Sequence, residues 1–179
     1  MIRRVVVAAL VAMAAPATVG AQPAPLFGPE PPSSQVETMH LTAVAEPVVV
    51  RADQAGSRIT LTLRVVPRDT MRVYAHDAEG YVPFTVTLDP EADVVASRTV
   101  YPAAASHVFP PTGETSKVYG GPVVVRQPVT LRPAARRALA SGTSVAVAAT
   151  LRYQACDDTL CYRPATARVQ WLLEPAPDR

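Results

Sequence analysis

Residues Ser144–Pro164 read SVAVAATLRYQACDDTLCYRP and contain the only two cysteines of the chain. In the first half of this stretch, every second residue is apolar: Val145, Val147, Ala149, Leu151 and Tyr153. The opposite face includes Thr150, Arg152 and Gln154. Such period-two alternation is typical of a β-strand that packs one face on a hydrophobic core. The stretch therefore predicts a half-buried strand that leads directly into a cysteine pair.

The same alternation recurs in SRITLTLRVV (57–66), FTVTLD (84–89) and ARVQWLLE (167–174). A further strand is VVVRQPVTL, Val123–Leu131, in which Pro128 predicts an edge strand or a bulge because proline cannot donate a ladder hydrogen bond. RPAARRALASG (132–142) predicts a short helix or turn, with Pro133 in its first turn and Gly142 after its end. About seven short strands separated by turn residues indicate an all-β antiparallel sandwich with at most one short helix.

The N-terminal residues have the composition of a leader. A basic start, Arg3-Arg4, precedes an apolar run and small residues near Ala21, which predicts a secretory signal peptide at residues 1–21. Its apolar core is about half of the roughly 20 residues that a membrane span needs. The proline-rich segment 22–35 predicts a disordered lead-in, and the folded domain is expected at 36–175. We therefore expect an exported protein.

The charge pattern excludes several classes of partner. The formal net charge is +2 and no basic run exceeds two residues, which argues against nucleic acid and against anionic membrane surfaces. His40, His76 and His107 are far apart and lack a ligand-like spacing, so no metal site is predicted. The residues left to carry chemistry are the two cysteines.

Two interpretations of the cysteine pair are open. In an oxidising compartment, two thiols are expected to form a disulfide at rest. Cys156 and Cys161 close a loop of only six residues, and the chain-entropy model gives such a loop about 2 kcal/mol of stabilisation. A structural staple of this size is weak, whereas two cysteines so close in sequence also suit thiol–disulfide exchange. The spacing alone favours neither interpretation.

Asp157 and Asp158 lie between the cysteines and bear on the direction of exchange. Carboxylates beside the sulfurs are expected to disfavour the thiolate form, with Arg152 and Arg163 offsetting part of this effect. The pair is therefore expected to be a disulfide that receives electrons from a stronger thiol donor.

The segment YQACDDTLCYRP resembles the end of the N-terminal domain of the bacterial thiol:disulfide interchange protein DsbD. The matching residues are Tyr153, Gln154, Ala155, Cys156, Cys161 and Pro164. A second segment, KVYGGPVVVRQPVTL, resembles the cap-loop region of that family through Tyr119, Gly120, Pro128, Val129 and Leu131. MRVYAHD resembles a strand that bears a tyrosine near the site, here Tyr74. The similarity runs through Val36–Leu173.

The resemblance implies an immunoglobulin-like periplasmic domain with thiol–disulfide exchange of the protein-disulfide reductase type. Cys156 would form the mixed disulfides, with Cys161 as its partner, and no bound cofactor is implied because the sulfurs carry the electrons. The implied donors are thioredoxin-like periplasmic proteins or a membrane thiol carrier. The implied acceptors are a disulfide isomerase or a cytochrome c maturation thioredoxin. Because the sequence ends at Arg179, without the membrane and thioredoxin-like domains of the full family protein, we expect a stand-alone module.

The main departure from the family concerns the cap over the disulfide. The family places a phenylalanine there, after acidic residues, whereas the matching positions here are Val118, Lys117 and Ser116. We expect valine to shield the disulfide less. The remaining residues expected around the site are Tyr74, Tyr119, Gly120, Tyr153, Gln154, Asp157 and Asp158. The weaker cap keeps a second interpretation open, an exported immunoglobulin-like binding or structural domain with a permanent disulfide.

Overall fold

The computed structural model describes residues 33–51 and 58–177 of the 179-residue chain. The predicted signal peptide at 1–21 lies outside these residues, as does the predicted lead-in up to residue 32. The first strand begins at Gln35, next to the expected domain start at Val36.

The described part of the chain folds into three β-sheets and one short helix. In chain order the elements are β1 (Gln35–Glu37), β2 (Leu41–Ala45), β3 (Val48–Val50), β4 (Arg58–Pro67), β5 (Arg72–Tyr74), β6 (Thr85–Leu88), β7 (Val94–Ala96), β8 (Ala105–Phe109), β9 (Glu114–Tyr119), β10 (Val123–Leu131), α1 (Pro133–Ala140), β11 (Val145–Tyr153), β12 (Ala155–Cys156) and β13 (Ala165–Pro175). The sheets have the strand orders β1-β2-β4-β10-β7, β3-β13-β11-β6 and β12-β5-β9-β8. Paired strands are antiparallel except β3 and β13, which are parallel.

The first two sheets enclose the main hydrophobic core. The alternation in β4, β11 and β13 predicts their buried residues correctly, and these include Leu61, Leu63, Val147, Leu151, Val169, Trp171 and Leu173. Trp171 also joins the two sheets, because its indole Nε1–H donates a hydrogen bond to the carbonyl of Thr62 at 2.7 Å. The all-β, immunoglobulin-like fold expected from the sequence is confirmed.

The third sheet, β12-β5-β9-β8, presents two different surfaces because successive side chains on a strand point to opposite faces. Three side chains of one face belong to the main core: Val73, Tyr119 and Ala155. The residue beside each of them faces the other way and joins a separate buried cluster: Tyr74, Val118 and Cys156. The small sheet therefore fastens the cysteine region to the sandwich.

Of the two alternatives that Pro128 predicts, the edge strand is wrong and the bulge is present. Between the pairs Arg126–Val100 and Val129–Ala96, three residues (97–99) lie opposite two of β10. β10 pairs with β4 on one side and with β7 on the other. Pro128 accepts a hydrogen bond from the N–H of Ser97 at 2.9 Å, but it cannot return one to the carbonyl of Ser97. The side-chain amide of buried Gln127 donates to that carbonyl instead, at 2.7 Å. Proline is tolerated inside the sheet because its neighbour supplies the missing donor.

The short helix α1 agrees with the sequence expectation. Pro133 occupies its first turn, and Gly142 follows its end with a φ of 80°, a left-handed conformation that glycine adopts readily. Ala135 and Leu139 bury one side of the helix. Among the residues that the structure describes, no helix is long and apolar enough to cross a membrane.

We predict that Trp171→Phe lowers the free energy of unfolding by about 2–3 kcal/mol, because it removes the bond to Thr62 and leaves a void in the core. Urea denaturation followed by far-UV circular dichroism measures the loss. The matched control is Leu172→Ala on the outer face of the same strand, which is expected to cost about 0.5 kcal/mol. Equal losses in the two variants would contradict the assigned role of Trp171.

Candidate functional site

The two cysteines form a disulfide across a tight hairpin. Cys156 and Cys161 face each other as an antiparallel bridge, with their Cα atoms 4.1 Å apart. The N–H of Asp157 donates to the carbonyl of Leu160 at 3.0 Å, and the N–H of Tyr162 donates to the carbonyl of Ala155 at 2.8 Å. The two cysteines differ in exposure: Cys156 is buried, with only 6% of its surface exposed, whereas Cys161 is only partly buried.

Asp157 organises the turn of this hairpin. Its carboxylate accepts hydrogen bonds from the N–H groups of Thr159 and Leu160, at 2.7 and 2.8 Å, and from the hydroxyl of Tyr162 at 2.9 Å. These bonds, that from the Thr159 N–H foremost, hold the pKa of Asp157 well below its usual value. The carboxylate is therefore ionised at neutral pH and committed to the loop backbone.

Asp158 is paired with a cation from the neighbouring strand. Its carboxylate lies 2.6 Å from Nη1 of Arg72 on β5 and 4.0 Å from Nε2 of His107 on β8. From the sequence, Arg152 and Arg163 are expected to offset the negative charge beside the sulfurs. In the structure, Arg72 is the cation paired with Asp158. The negative charge of Asp158 is therefore paired with Arg72. This pairing weakens the expected effect of the two carboxylates, which is to disfavour the thiolate form of the cysteines.

The hydroxyl of Tyr74 contacts both sulfurs. Its oxygen lies 3.1 Å from Sγ of Cys156 and 3.4 Å from Sγ of Cys161. Because the sulfurs of a disulfide carry no hydrogen, the tyrosine O–H is the only donor, and its single hydrogen is shared between the two contacts. Tyr74 is 3% exposed, and this burial, followed by the contact with Tyr81, raises its pKa. The hydroxyl therefore keeps its proton and remains a donor.

Aromatic rings surround this contact. The ring of Tyr81 stacks on that of Tyr74, with the ring centroids 4.0 Å apart and the planes within 8° of parallel. The hydroxyl of Tyr81 donates to the carboxylate of Glu114, which raises the pKa of Tyr81. Phe109 packs against the same buried cluster from β8. Two aromatic side chains, Tyr81 and Phe109, thus pack against the cluster that contains Val118 and Cys156.

Gln154 connects the hairpin to the segment that carries Tyr81. Its side-chain NH₂ donates to the carbonyl of Tyr162 at 3.0 Å, and its side-chain oxygen accepts from the N–H of Val82 at 3.2 Å. Its own backbone carbonyl accepts from the N–H of Tyr74 at 3.0 Å. A single residue thus contacts three segments of the site.

His40 lies behind the hairpin. Its ring centroid is 4.8 Å from that of Tyr162, and its Nδ1 is 3.4 Å from the hydroxyl of Tyr153. The Tyr153 hydroxyl donates to Oγ1 of Thr38 at 2.9 Å, so it accepts from His40. Burial lowers the pKa of His40, which keeps the ring neutral. The contacts of His40 are those of a packed core histidine.

The predicted site residues separate into two groups. Those that the structure brings together around the hairpin are Cys156, Cys161, Tyr74, Val118, Gln154, Asp157 and Asp158. Tyr119 and Tyr153 instead face the main core. Tyr119 bonds to His76 at 2.8 Å, and burial raises its pKa to about 12. Gly120 directly follows β9. A Cβ atom at this position would lie 3.7 Å from Cγ of Arg72.

Sequence reasoning missed several contributors to the site: Arg72, Tyr81, His107, Phe109 and Tyr162. Arg72 and Tyr74 share a face of β5 by simple alternation, as do His107 and Phe109 on β8. What the sequence does not reveal is which strands lie beside the hairpin. Across residues 33–51 and 58–177, no group of three or more His, Cys, Asp or Glu side chains is placed to hold a metal ion.

The profile of the family described as thiol:disulfide interchange protein DsbD, N-terminal, matches residues 39–172. The chain belongs to this family. The Cys156–Cys161 disulfide lies within the matched residues. No curated protein matches the chain.

Two solved structures are similar in fold. The N-terminal periplasmic domain of ScsB from Proteus mirabilis shares 15% identity with a TM-score of 0.55, over 81% of this chain and 53% of that one. The chain therefore spans about half the length of that structure. The DsbD N-terminal domain from Neisseria meningitidis, in its reduced form, shares 17% identity with a TM-score of 0.42, over 62% of this chain and 74% of that one.

We predict that Asp157→Ala accelerates hydrogen exchange at the amides of Thr159 and Leu160, because both lose their acceptor. The matched control is Asp158→Ala, which breaks the contacts with Arg72 and His107 and is expected to leave these two amides protected. In the wild type, a depressed pKa means that the contribution of Asp157 is present above the usual aspartate pKa of about 4 and is lost only at lower pH. NMR of both amides from pH 7 to pH 2 would contradict this if their shifts changed above about pH 4.

Proposed function

We propose that this chain is a periplasmic thiol–disulfide exchange module. Its Cys156–Cys161 disulfide would accept electrons from a thiol donor and pass them to a partner protein. The observation that carries the proposal is the contact of the Tyr74 hydroxyl with both sulfurs, at 3.1 and 3.4 Å. A purely structural disulfide needs no buried donor aimed at its sulfurs, whereas a disulfide that opens to a thiolate gains from one.

The reaction proceeds in two exchanges. An incoming thiolate attacks the sulfur of one cysteine, which forms a mixed disulfide and releases the other cysteine as a thiolate. The second thiol of the donor then attacks the mixed disulfide, so that the donor leaves oxidised and the pair is left as a dithiol. Two electrons and two protons have moved. The reverse sequence reduces an oxidised partner, and the sulfurs suffice as carriers.

We further propose that Cys161 is the sulfur that is attacked and Cys156 the one that leaves. Cys156 is 6% exposed, whereas Cys161 is more accessible. The hydroxyl of Tyr74 is also closer to Cys156, so it is better placed to stabilise a thiolate there. This order is the reverse of the one that the family resemblance implied.

Three observations support the rest of the proposal. The solved ScsB domain with the similar fold is described as periplasmic, which agrees with the signal peptide predicted at residues 1–21. Family membership favours thioredoxin-like proteins as partners. The hairpin has hydrogen bonds of its own, from Asp157, Tyr162 and Gln154. Because those bonds do not depend on the disulfide, the fold is expected to survive its reduction.

The deciding test is the reduction potential of Cys156–Cys161. The folded protein is equilibrated in thiol buffers, free thiols are alkylated and counted, and circular dichroism follows the fold. We expect a potential between about −200 and −270 mV with the fold intact. A potential below about −300 mV, or unfolding on reduction, would refute electron transfer and favour a binding domain with a permanent disulfide.

We predict that the order of attack shows in single-cysteine variants. In Cys156→Ala the remaining Cys161 is expected to react with an aromatic disulfide reagent about tenfold faster or more than the remaining Cys156 does in Cys161→Ala. Repeating both reactions in urea that unfolds the chain provides the control, because the rates should then converge. A faster reaction of Cys156 in the folded variants would restore the order implied by the resemblance.

A further inference from the structure

Gln154 occupies the short link between β11 and β12, and it bonds in three directions. Its backbone carbonyl accepts from the N–H of Tyr74, its side-chain oxygen accepts from the N–H of Val82, and its side-chain NH₂ donates to the carbonyl of Tyr162. Tyr74 and Val82 belong to neighbouring parts of the chain, whereas Tyr162 is distant from both in sequence. The side chain is part-buried, so the two side-chain bonds are shielded from competing water.

The two side-chain bonds end beside the disulfide and beside the ring that stacks on Tyr74. Tyr162 directly follows Cys161, and Val82 directly follows Tyr81. The ring of Tyr81 stacks on the ring of Tyr74. Through one side chain, the backbone next to the more accessible sulfur is therefore tied to the ring that supports the tyrosine donor.

The chemistry at the two ends requires an amide. The N–H of Val82 needs an acceptor, and the carbonyl of Tyr162 needs a donor. Glutamate offers only the acceptor when ionised, and methionine has a similar length but offers no strong hydrogen-bonding group. Asparagine is shorter by one methylene group. Glutamine thus meets both demands at the required reach.

We propose that Gln154 is a positioning residue that holds the Tyr74 hydroxyl in register with both sulfurs while the disulfide opens. The proposal deepens the proposed exchange function and rests on it for its biological meaning. When an incoming thiolate takes Cys161, the S–S bond no longer ties the two arms of the hairpin together. The bond from Gln154 to Tyr162 keeps that arm in place, and the bond to Val82 keeps the Tyr81–Tyr74 stack over the departing Cys156 thiolate.

The test is a double-mutant cycle on the rate of reduction by dithiothreitol. Tyr74→Phe removes the donor and is expected to slow reduction about tenfold or more, because the departing thiolate loses its hydrogen bond. Gln154→Met is expected to slow reduction by a similar factor. In the double variant, the loss is expected to be close to that of either single change, because both disable the same contact.

Two further variants sharpen the cycle. Gln170→Met on β13 is the matched control, since its side chain makes no hydrogen bond within the described residues, and its effect should simply multiply with that of Tyr74→Phe. Gln154→Glu keeps the acceptor for Val82 and loses the donor for Tyr162, so an intermediate rate is expected. It also serves as the test if Gln154→Met does not fold with its disulfide, which circular dichroism and thiol counting establish.

Each outcome of the double-mutant cycle either supports or contradicts the proposal. If the slowing by Tyr74→Phe and that by a Gln154 variant multiply, Gln154 acts independently of the tyrosine and the proposal is wrong. It is also wrong if Tyr74→Phe alone leaves the rate unchanged. Because dithiothreitol reduces any accessible disulfide, the cycle reports on the site itself. A reduction potential that refutes the exchange function therefore leaves the result of the cycle interpretable.

Discussion

The alternation of side chains along the strands of the small sheet is the constraint on which the site depends. A residue on a β-strand faces the opposite way from its neighbours, and this rule assigns Val73, Ala155 and Tyr119 to the core. The adjacent Tyr74, Cys156 and Val118 are then forced onto the other face. Cys156 is held in place because its neighbour Ala155 is packed inside the sandwich. The main core therefore makes the site rigid, although the side chains of the site belong to a separate cluster.

The same alternation determines how much of the fold can be predicted from the sequence. Long alternating stretches such as β4, β11 and β13 predict their buried faces, since a one-residue shift would put every apolar side chain into water. The helix is predicted from Pro133 and Gly142 because proline in the first turn and glycine just after the end are typical of helix boundaries. The resemblance placed both Val118 and Tyr119 near the disulfide, yet neighbours on one strand point apart, and only Val118 joins the cluster.

The parts that could not be predicted are those fixed by pairing between distant strands. Tyr81 lies in a connection with no periodic pattern, and its stacking on Tyr74 follows from how that segment folds back. Arg72 meets Asp158 only because β5 pairs with β12. Pro128 lies inside a sheet and not at its edge, because Gln127 supplies a side-chain donor in place of the backbone donor that proline lacks. Local composition contains none of this information.

The division of the small sheet into two faces has a consequence for how such a domain can change over time. Substitutions at the outward residues, such as Phe109 or Glu114, alter the surroundings of the disulfide without touching the buried surface that gives the fold its stability. Substitutions at Val73 or Ala155 do the opposite. The two sets of positions are therefore open to separate change, because a substitution on the outward face leaves the packing of the main core in place.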